Sequence, residues 1–254
     1  MSKRLEGRTA LVTGASSGLG AHFAKLMAAE GAHVVAAARR KDRLETLVDD
    51  ITSSGGDAIA IGCDVEDEAS IIACYDEAQA AFGAVDTIIC NAGLDQMGLA
   101  VDISADDFDK VMNVNVRGVF LTAREGAKRL IGAGEDISQR GRIVTIASIA
   151  GLRVLPGQTA YSTSKAAVLM MTESLAREWA RYGICVNAIC PGFIETEINS
   201  DWLKTDKGQA MLKSMPRRRV MDIECLNDSI LYLSSDGARF TTGAHIKVDD
   251  GQSI

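Results

Sequence analysis

The sequence predicts an α/β protein: a doubly wound, seven-stranded parallel sheet flanked by helices, in a single domain over residues 1–254. Three observations predict it. Short apolar runs alternate with helical patterns along the whole chain, as successive βαβ units do. The runs are near-continuously apolar, as in strands covered on both faces. No linker, repeat or low-complexity tract divides the 254 residues, which include only three prolines.

The first strand, 9–13, runs into Thr13-Gly14-Ala15-Ser16-Ser17-Gly18-Leu19-Gly20 and a helix over 18–30. The three glycines allow a tight turn and close approach of backbone to a phosphate, and the helix adds free N–H groups and a positive dipole end. Between a first strand and a helix, this loop points to a dinucleotide; a plain β–α turn is the alternative.

The second strand, 33–38, ends at Ala38-Arg39-Arg40-Lys41, where a helix over 41–54 begins. Many dinucleotide folds place an acid here to hold the ribose hydroxyls. Ala38 cannot, and the guanidinium groups of Arg39 and Arg40 suit a phosphate monoester. The pattern favours NADP(H) over NAD(H). The competing reading is two solvated arginines at a helix start, where a cation is mildly unfavourable.

Strand 58–63 ends at Asp64-Val65 before a helix over 67–82, and strand 85–90 ends at Asn91-Ala92-Gly93. Both are carboxyl ends of strands, where open α/β sheets bind ligands. Asp64 is placed to accept from an adenine amino group. Asn91 either meets the cofactor or caps its turn. In the helix over 106–131, Asn113 and Asn115 are poor interior residues. Asn113 fits a polar face. Asn115 either bonds main chain at a local distortion or holds a water.

Strand 142–148 ends at Ser148, thirteen residues before Tyr161. From there its hydroxyl would meet Tyr161 across a cleft and hold a substrate carbonyl oxygen. A nucleophilic serine is disfavoured: Ser148 lacks a G-x-S-x-G setting, and His22, His33 and His245 are poorly placed as base. In the helix over 160–182, Tyr161 and Lys165 stand at i and i+4, on one face. A phenol has a pKa of about 10. A nearby ammonium lowers it, giving a proton donor and acceptor matched to a secondary alcohol. Strand 185–190 then leads into Pro191-Gly192-Phe193-Ile194-Glu195-Thr196, and residues 193–221 are long enough to form a substrate lid. A helix over 222–234 and a strand over 245–248 complete the chain.

Composition removes other classes. The net charge is −7, and the densest basic cluster, Arg217-Arg218-Arg219, is too short for a nucleic-acid surface. No apolar run approaches the ~20 residues of a membrane span, and the opening MSKRLEGRTALVTG reads as a strand rather than a signal peptide. The six cysteines form no C-x-x-C and no metal-ligand spacing. They read as reduced, mostly buried thiols of a cytoplasmic protein, with no metal site.

From about residue 5 to 251 the chain resembles the short-chain dehydrogenase/reductase family, a Rossmann-type fold. The resemblance rests on TGASSGLG, Asp64-Val65, CNAG, NVRG, Ser148, Y-x-x-x-K and PGFIET, in this order. Cys90 departs from it, standing where the family usually has asparagine. The resemblance implies a catalytic tetrad of Asn115, Ser148, Tyr161 and Lys165. Tyr161 would protonate the alkoxide formed by hydride transfer to a ketone, and Ser148 would hold the carbonyl oxygen. Lys165 would lower the Tyr161 pKa and bind the nicotinamide ribose, and Asn115 would hold a water. Cofactor contacts would come from Gly14, Ser16, Ser17, Gly18, Leu19, Gly20, Arg39, Arg40, Asp64, Val65, Asn91, Ala92 and Gly93. Pro191, Gly192, Ile194 and Thr196 would complete them around the nicotinamide. A homotetramer is implied too, paired through the helices around 106–131 and 160–182.

Within the family, PGFIETE and TGAHIKVDDG look most like the 3-oxoacyl-thioester reductases. Those that act on acyl carrier protein dock it with basic residues near 139–140 and 181–182. Here Gln139-Arg140 and Arg181-Tyr182 keep some base, but Glu135 and Asp136 oppose an acidic carrier. A free ketone or a CoA ester is therefore expected. Phe193, Ile198, Trp202, Leu203, Met211, Leu212 and Met215 suggest an apolar one, unless they pack on one another. The alternatives are an NAD-dependent dehydrogenase of a hydroxysteroid or similar alcohol, and an NADP(H) sensor without turnover.

Overall fold

The structure is a computed structural model that describes residues 3–195 and 203–254. Seven strands form one sheet: β1 Thr9–Thr13, β2 His33–Ala38, β3 Asp57–Gly62, β4 Thr87–Cys90, β5 Arg142–Ile146, β6 Cys185–Pro191 and β7 His245–Val248. Their order is β3-β2-β1-β4-β5-β6-β7, and every pairing is parallel. The order reverses between β1 and β4, which opens a crevice at the carboxyl ends of those strands.

Helices α1 (Gly18–Ala29), α2 (Lys41–Ser53) and α3 (Glu68–Phe82) follow the first three strands. After β4 come α4 (Ala105–Met112), α5 (Val119–Gly132) and the single turn α6 (Glu135–Ser138). Helix α7 (Thr159–Trp179) lies between β5 and β6, and α8 (Asp206–Ser214) and α9 (Asn227–Ser234) precede β7. Each strand feeds both faces of the sheet. In β1, Ala10 and Val12 join Phe23, Met27, Leu44 and Ile230 on one face, while Leu11 joins Ile71, Tyr75, Leu130 and Val168 on the other. This period of two, with apolar residues on both sides, explains why the strands read as continuous apolar runs.

Four expected boundaries move, each for a local reason. The helix expected over 106–131 is broken by a π-helical segment, Asn113–Gly118, between α4 and α5. Gly118 sits there because a Cβ would lie 2.9 Å from Val65 Cγ2. Strand β5 stops at Ile146, and Ser148 instead opens a 3-10 turn over Ile149–Gly151 by accepting from the Ala150 N–H at 3.1 Å. The helix expected to reach 182 passes into a 3-10 turn, Ala180–Tyr182, closed by Gly183 at φ 75°. The helix expected to start at 222 begins as a 3-10 turn, Ile223–Leu226. In the lid region, α8 had no clear sequence signal, and Ile198 and Trp202 lie outside the described residues.

Five cysteines are buried and Cys225 is exposed. Among the described residues no helix is long and apolar enough to cross a membrane, and no group of His, Cys, Asp and Glu is arranged to hold a metal ion.

Candidate active site

Two cavities meet over the switch point. The larger, about 1070 Å³, runs from Gly14–Leu19 past Arg39, Arg40 and Arg43 to Asp64–Glu66 and Asn91–Leu94. The smaller, about 310 Å³, is lined by Ser148, Tyr161, Lys165, Pro191, Gly192 and Ile194 among others. They share Leu19, Asn91, Gly93 and Leu94, so the smaller is the inner end of the larger.

The larger cavity fits a dinucleotide on its own geometry. A Cβ on Gly20 would stand 2.3 Å from Gly14 O, and one on Gly14 would stand 2.9 Å from Ala92 Cα, so loop, helix and β4 end can approach only as glycines. Gly18, at φ 54°, has nothing within 4 Å of its Cβ position, so the loop turns an open backbone concavity outward. Ser17, the N-cap of α1, uses no side chain to cap it, leaving the first N–H groups for a ligand. Asn91 fixes the loop from behind, with Nδ2 donating to Thr13 O at 2.9 Å. The structure thus gives Asn91 the turn-holding role, with its other face in the cavity.

The base cluster at the end of β2 is larger than the sequence suggested. Arg40 Nη2 donates to Ser16 Oγ at 2.9 Å and Ser17 Oγ at 3.0 Å, tying the cluster to the Gly-rich loop. Arg39 stands 3.9 Å from the Glu66 carboxylate. Arg43 and Lys25 also line this end, Lys25 paired with Asp50 at 2.7 Å. Both could have been found by helical spacing: Arg43 lies three residues after Arg40, and Lys25 two turns into α1. Asp64 Oδ1 accepts from the Glu66 N–H at 3.1 Å, and Val65 is buried against Gly118.

In the inner cavity, Ser148, Tyr161 and Lys165 converge from the end of β5 and the first turns of α7. Burial pushes the Tyr161 phenol up to about 12, and the neighbouring Ser148 hydroxyl offsets part of this. Burial brings the Lys165 ammonium down to about 8, against the pull of Asp95. Lys165 Nζ donates to Ile146 O at 2.8 Å and stands 5.5 Å from the centre of the Tyr161 ring. This corrects the expectation that Lys165 lowers the Tyr161 pKa. In this conformation desolvation dominates the phenol, and the ammonium is turned to the sheet.

Asn115 sits in the π-helical segment, fully buried. Its Nδ2 donates to Leu94 O at 2.9 Å and Ser164 Oγ at 3.0 Å, and its Oδ1 accepts from the Leu94 N–H at 2.8 Å. The side chain therefore bonds main chain at a local distortion, the first of the two sequence readings. It has no capacity left to hold a water through its side chain. Gly93, between Asn115 and Lys165, has room for neither to recede: its Cβ position is 3.3 Å from Asn115 Oδ1 and 3.6 Å from Lys165 Nζ.

On the far side, Gly192 is packed so tightly that a Cβ would meet Gln252 Oε1 at 2.5 Å, and Ile194 bridges to Met221. Thr196 lies outside the described residues. Of the expected lid side chains, Phe193 lines the inner cavity, whereas Leu203 and Met215 are buried away from it. Two lining residues were missed. Asp95 follows Gly93 by two, and Gln158 precedes Tyr161 by three, on the same helical face.

The sequence model of the family described as short chain dehydrogenase matches residues 8–207. The chain belongs to the short-chain dehydrogenase/reductase family. It is similar to "Oxidoreductase UcpA" of Salmonella typhimurium, 34% identical over 259 residues, covering 99% of this chain and 96% of that one. It is 35% identical over 251 residues to the "3-oxoacyl-[acyl-carrier-protein] reductase FabG" of Thermotoga maritima, covering 99% of this chain and 100% of that one. Among solved structures, a gluconate 5-dehydrogenase from Burkholderia cenocepacia in complex with NADP and tartrate superposes with a TM-score of 0.92 at 32% identity, over 99% of this chain and 97% of that one. This member of the short-chain dehydrogenase/reductase family is an oxidoreductase acting on CH–OH groups, which sets the sensor reading aside.

Proposed function

We propose that the protein is an NADP(H)-dependent oxidoreductase interconverting a ketone and a secondary alcohol. One observation carries the reading: the cavity where Ser148, Tyr161 and Lys165 meet opens, past Asn91–Leu94, into a cavity that runs on to Arg39, Arg40 and Arg43. A bound nicotinamide supplies or takes the hydride at the inner end. Gly14–Gly20 and the N-terminus of α1 hold its pyrophosphate, and Asp64 and Val65 flank the adenine. The arginines hold a ribose phosphate. Ala92, Gly93, Pro191, Gly192, Ile194 and Thr196 surround the nicotinamide, by resemblance.

The residues of the chain do the proton work. Ser148 donates to the substrate oxygen: its Oγ already accepts from Ala150 N–H, which leaves its proton free for the cleft. Tyr161 gives its proton to the developing alkoxide in reduction, and its high pKa keeps it in the acid form needed for that direction. Lys165, with two N–H bonds left after Ile146 O, is the nearby cation that makes the reverse transfer affordable. Asn115 positions both walls of the site by holding the Leu94 loop against α7.

A carrier-bound substrate is the weaker choice. Arg140 is committed to Asp86 at 2.9 Å and Gly7 O at 2.7 Å, and Arg181 to Tyr182, so neither is a free docking cation. The protein works on a freely diffusing ketone or alcohol and assembles as a homotetramer. A second reading, NAD(H) as cofactor, is favoured by Glu66, which partly neutralises Arg39.

The test is NADPH and NADH consumption with a panel of ketones, repeated in Arg39→Ala and Arg40→Ala. Loss of a charged hydrogen bond to phosphate costs roughly 1.5–3 kcal/mol, so each change should weaken NADPH about ten- to hundredfold and NADH far less. Equal weakening of both cofactors would sink the phosphate site, and activity with NADH alone would establish the second reading.

A further inference from the structure

The inner cavity contains two polar groups that the hydride reaction does not use. Gln158, the N-cap of α7, is 9% exposed. Its Nε2 donates to Asp95 Oδ2 at 3.1 Å. Its Oε1 is buried and accepts no hydrogen bond from any described residue. Asp95 stands at the mouth, held by that amide and by the Gln96 N–H. Both line the same cavity as Ser148 and Tyr161, and Asp95 is the only carboxylate among the described lining residues.

The arrangement asks for donors. A buried amide oxygen without a partner costs about 1–3 kcal/mol, and a ligand hydroxyl recovers it. The carboxylate beside it prefers a second hydroxyl and repels a ligand carboxylate. Size agrees: about 310 Å³ lies at the small end of the ~300–1,000 Å³ usual for small-molecule sites. An apolar alcohol would leave Gln158 Oε1 unpaired and desolvate Asp95 without return.

We propose that Asp95 and the unpaired Oε1 of Gln158 form a hydroxyl-reading subsite, so that the substrate is a small neutral polyol or its keto form. Sugar acids, acyl thioesters and plain alcohols are then disfavoured. This rests on the oxidoreductase reading of the cavity.

The experiment compares four-carbon probes with NADP supplied: threitol and erythritol, sec-butanol, and the sugar acids threonate and erythronate. At least one tetritol should be oxidised with a higher kcat/KM than sec-butanol and than either acid. Asp95→Asn preserves shape and removes charge. It should lower the tetritol to sec-butanol ratio of kcat/KM by about tenfold or more, and raise the acids relative to the tetritols. A ratio within about threefold of the wild type, or an acid preferred by the wild type, overturns the subsite. If no alcohol is oxidised although NADP binds, the reaction assigned above fails, and the subsite is judged by calorimetry on the NADP-loaded protein. Tetritol binding that Asp95→Asn weakens about tenfold upholds it. Binding of sec-butanol as tight as that of a tetritol overturns it.

Discussion

At the scale of single residues, the reaction asks for groups that burial disfavours. Lys165 is 5% exposed, and burial brings its ammonium down to about 8 from the ~10.4 of a free lysine. The unfolded chain therefore binds more protons than the native one between those values, and stability rises with pH across that window. Below about pH 8 the whole penalty of the buried cation is present. Tyr161 acts with the opposite sign. Its phenol, raised to about 12, retains its proton in the native state longer than the ~10 of a free tyrosine, so stability falls only above about pH 10. Lys165→Met should thus abolish turnover while leaving the protein at least as stable at pH 7. The gain is at most about 2 kcal/mol, because Ile146 O loses its donor. Denaturant melts at pH 7 and 10 check it: the advantage must shrink at the higher pH. A destabilised Lys165→Met at pH 7 would mean that the ammonium is stabilising where it lies.

At the scale of elements, the junction of α4 and α5 is where sequence and structure differ most. Its apolar period runs on without a break, so residues 106–131 read as one helix. The π-helical segment exists because Asn115 is drawn to Leu94 and Ser164, partners 21 and 49 residues away. No local pattern encodes such a bond, though the awkward asparagine flagged it. The same division holds elsewhere. The strand ends and the Gly-rich loop were legible because continuous apolar runs and positive-φ glycines are local facts. The Asp95–Gln158 contact, across 63 residues, was not. Nor was the state of Tyr161, since spacing to Lys165 speaks of proximity and not of desolvation. Asn115→Ala removes three hydrogen bonds and strands the Leu94 backbone groups. It should cost about 2–4 kcal/mol and lower the melting temperature by roughly 5–15 °C. It should also reduce kcat beyond what the fraction folded explains, because the Gly93–Leu94 wall of the cavity loosens. A variant of normal kcat at temperatures where it is fully folded would confine Asn115 to stability.

At the scale of the whole molecule, the sheet buries its own strands but leaves one helical layer uneven. The helices α3, α5 and α7 cover one face, and their inward residues, Tyr75, Leu130 and Val168 among them, are fully packed. Their outward faces should then be polar, yet Phe120 on α5 is 37% exposed and Met170 on α7 is 64% exposed. Arg124 lies over the Phe120 ring at 5.5 Å, so the patch mixes an aromatic with a cation, a composition found at interfaces more than on free surfaces. Isolated apolar side chains need no explanation, but two of them on helices covering the same face suggest a joint between subunits. Light scattering on the purified protein should therefore give four copies of the 27.0 kDa chain. Met170→Glu or Phe120→Asp places a charge in that joint, where an unpaired buried charge costs several kcal/mol, and should yield smaller species at micromolar concentration. Tyr161, Ser148 and Lys165 come from one chain, so the smaller species should still bind NADPH. A wild-type protein that is monomeric at those concentrations would sink the tetramer and leave Phe120 and Met170 as ordinary surface residues.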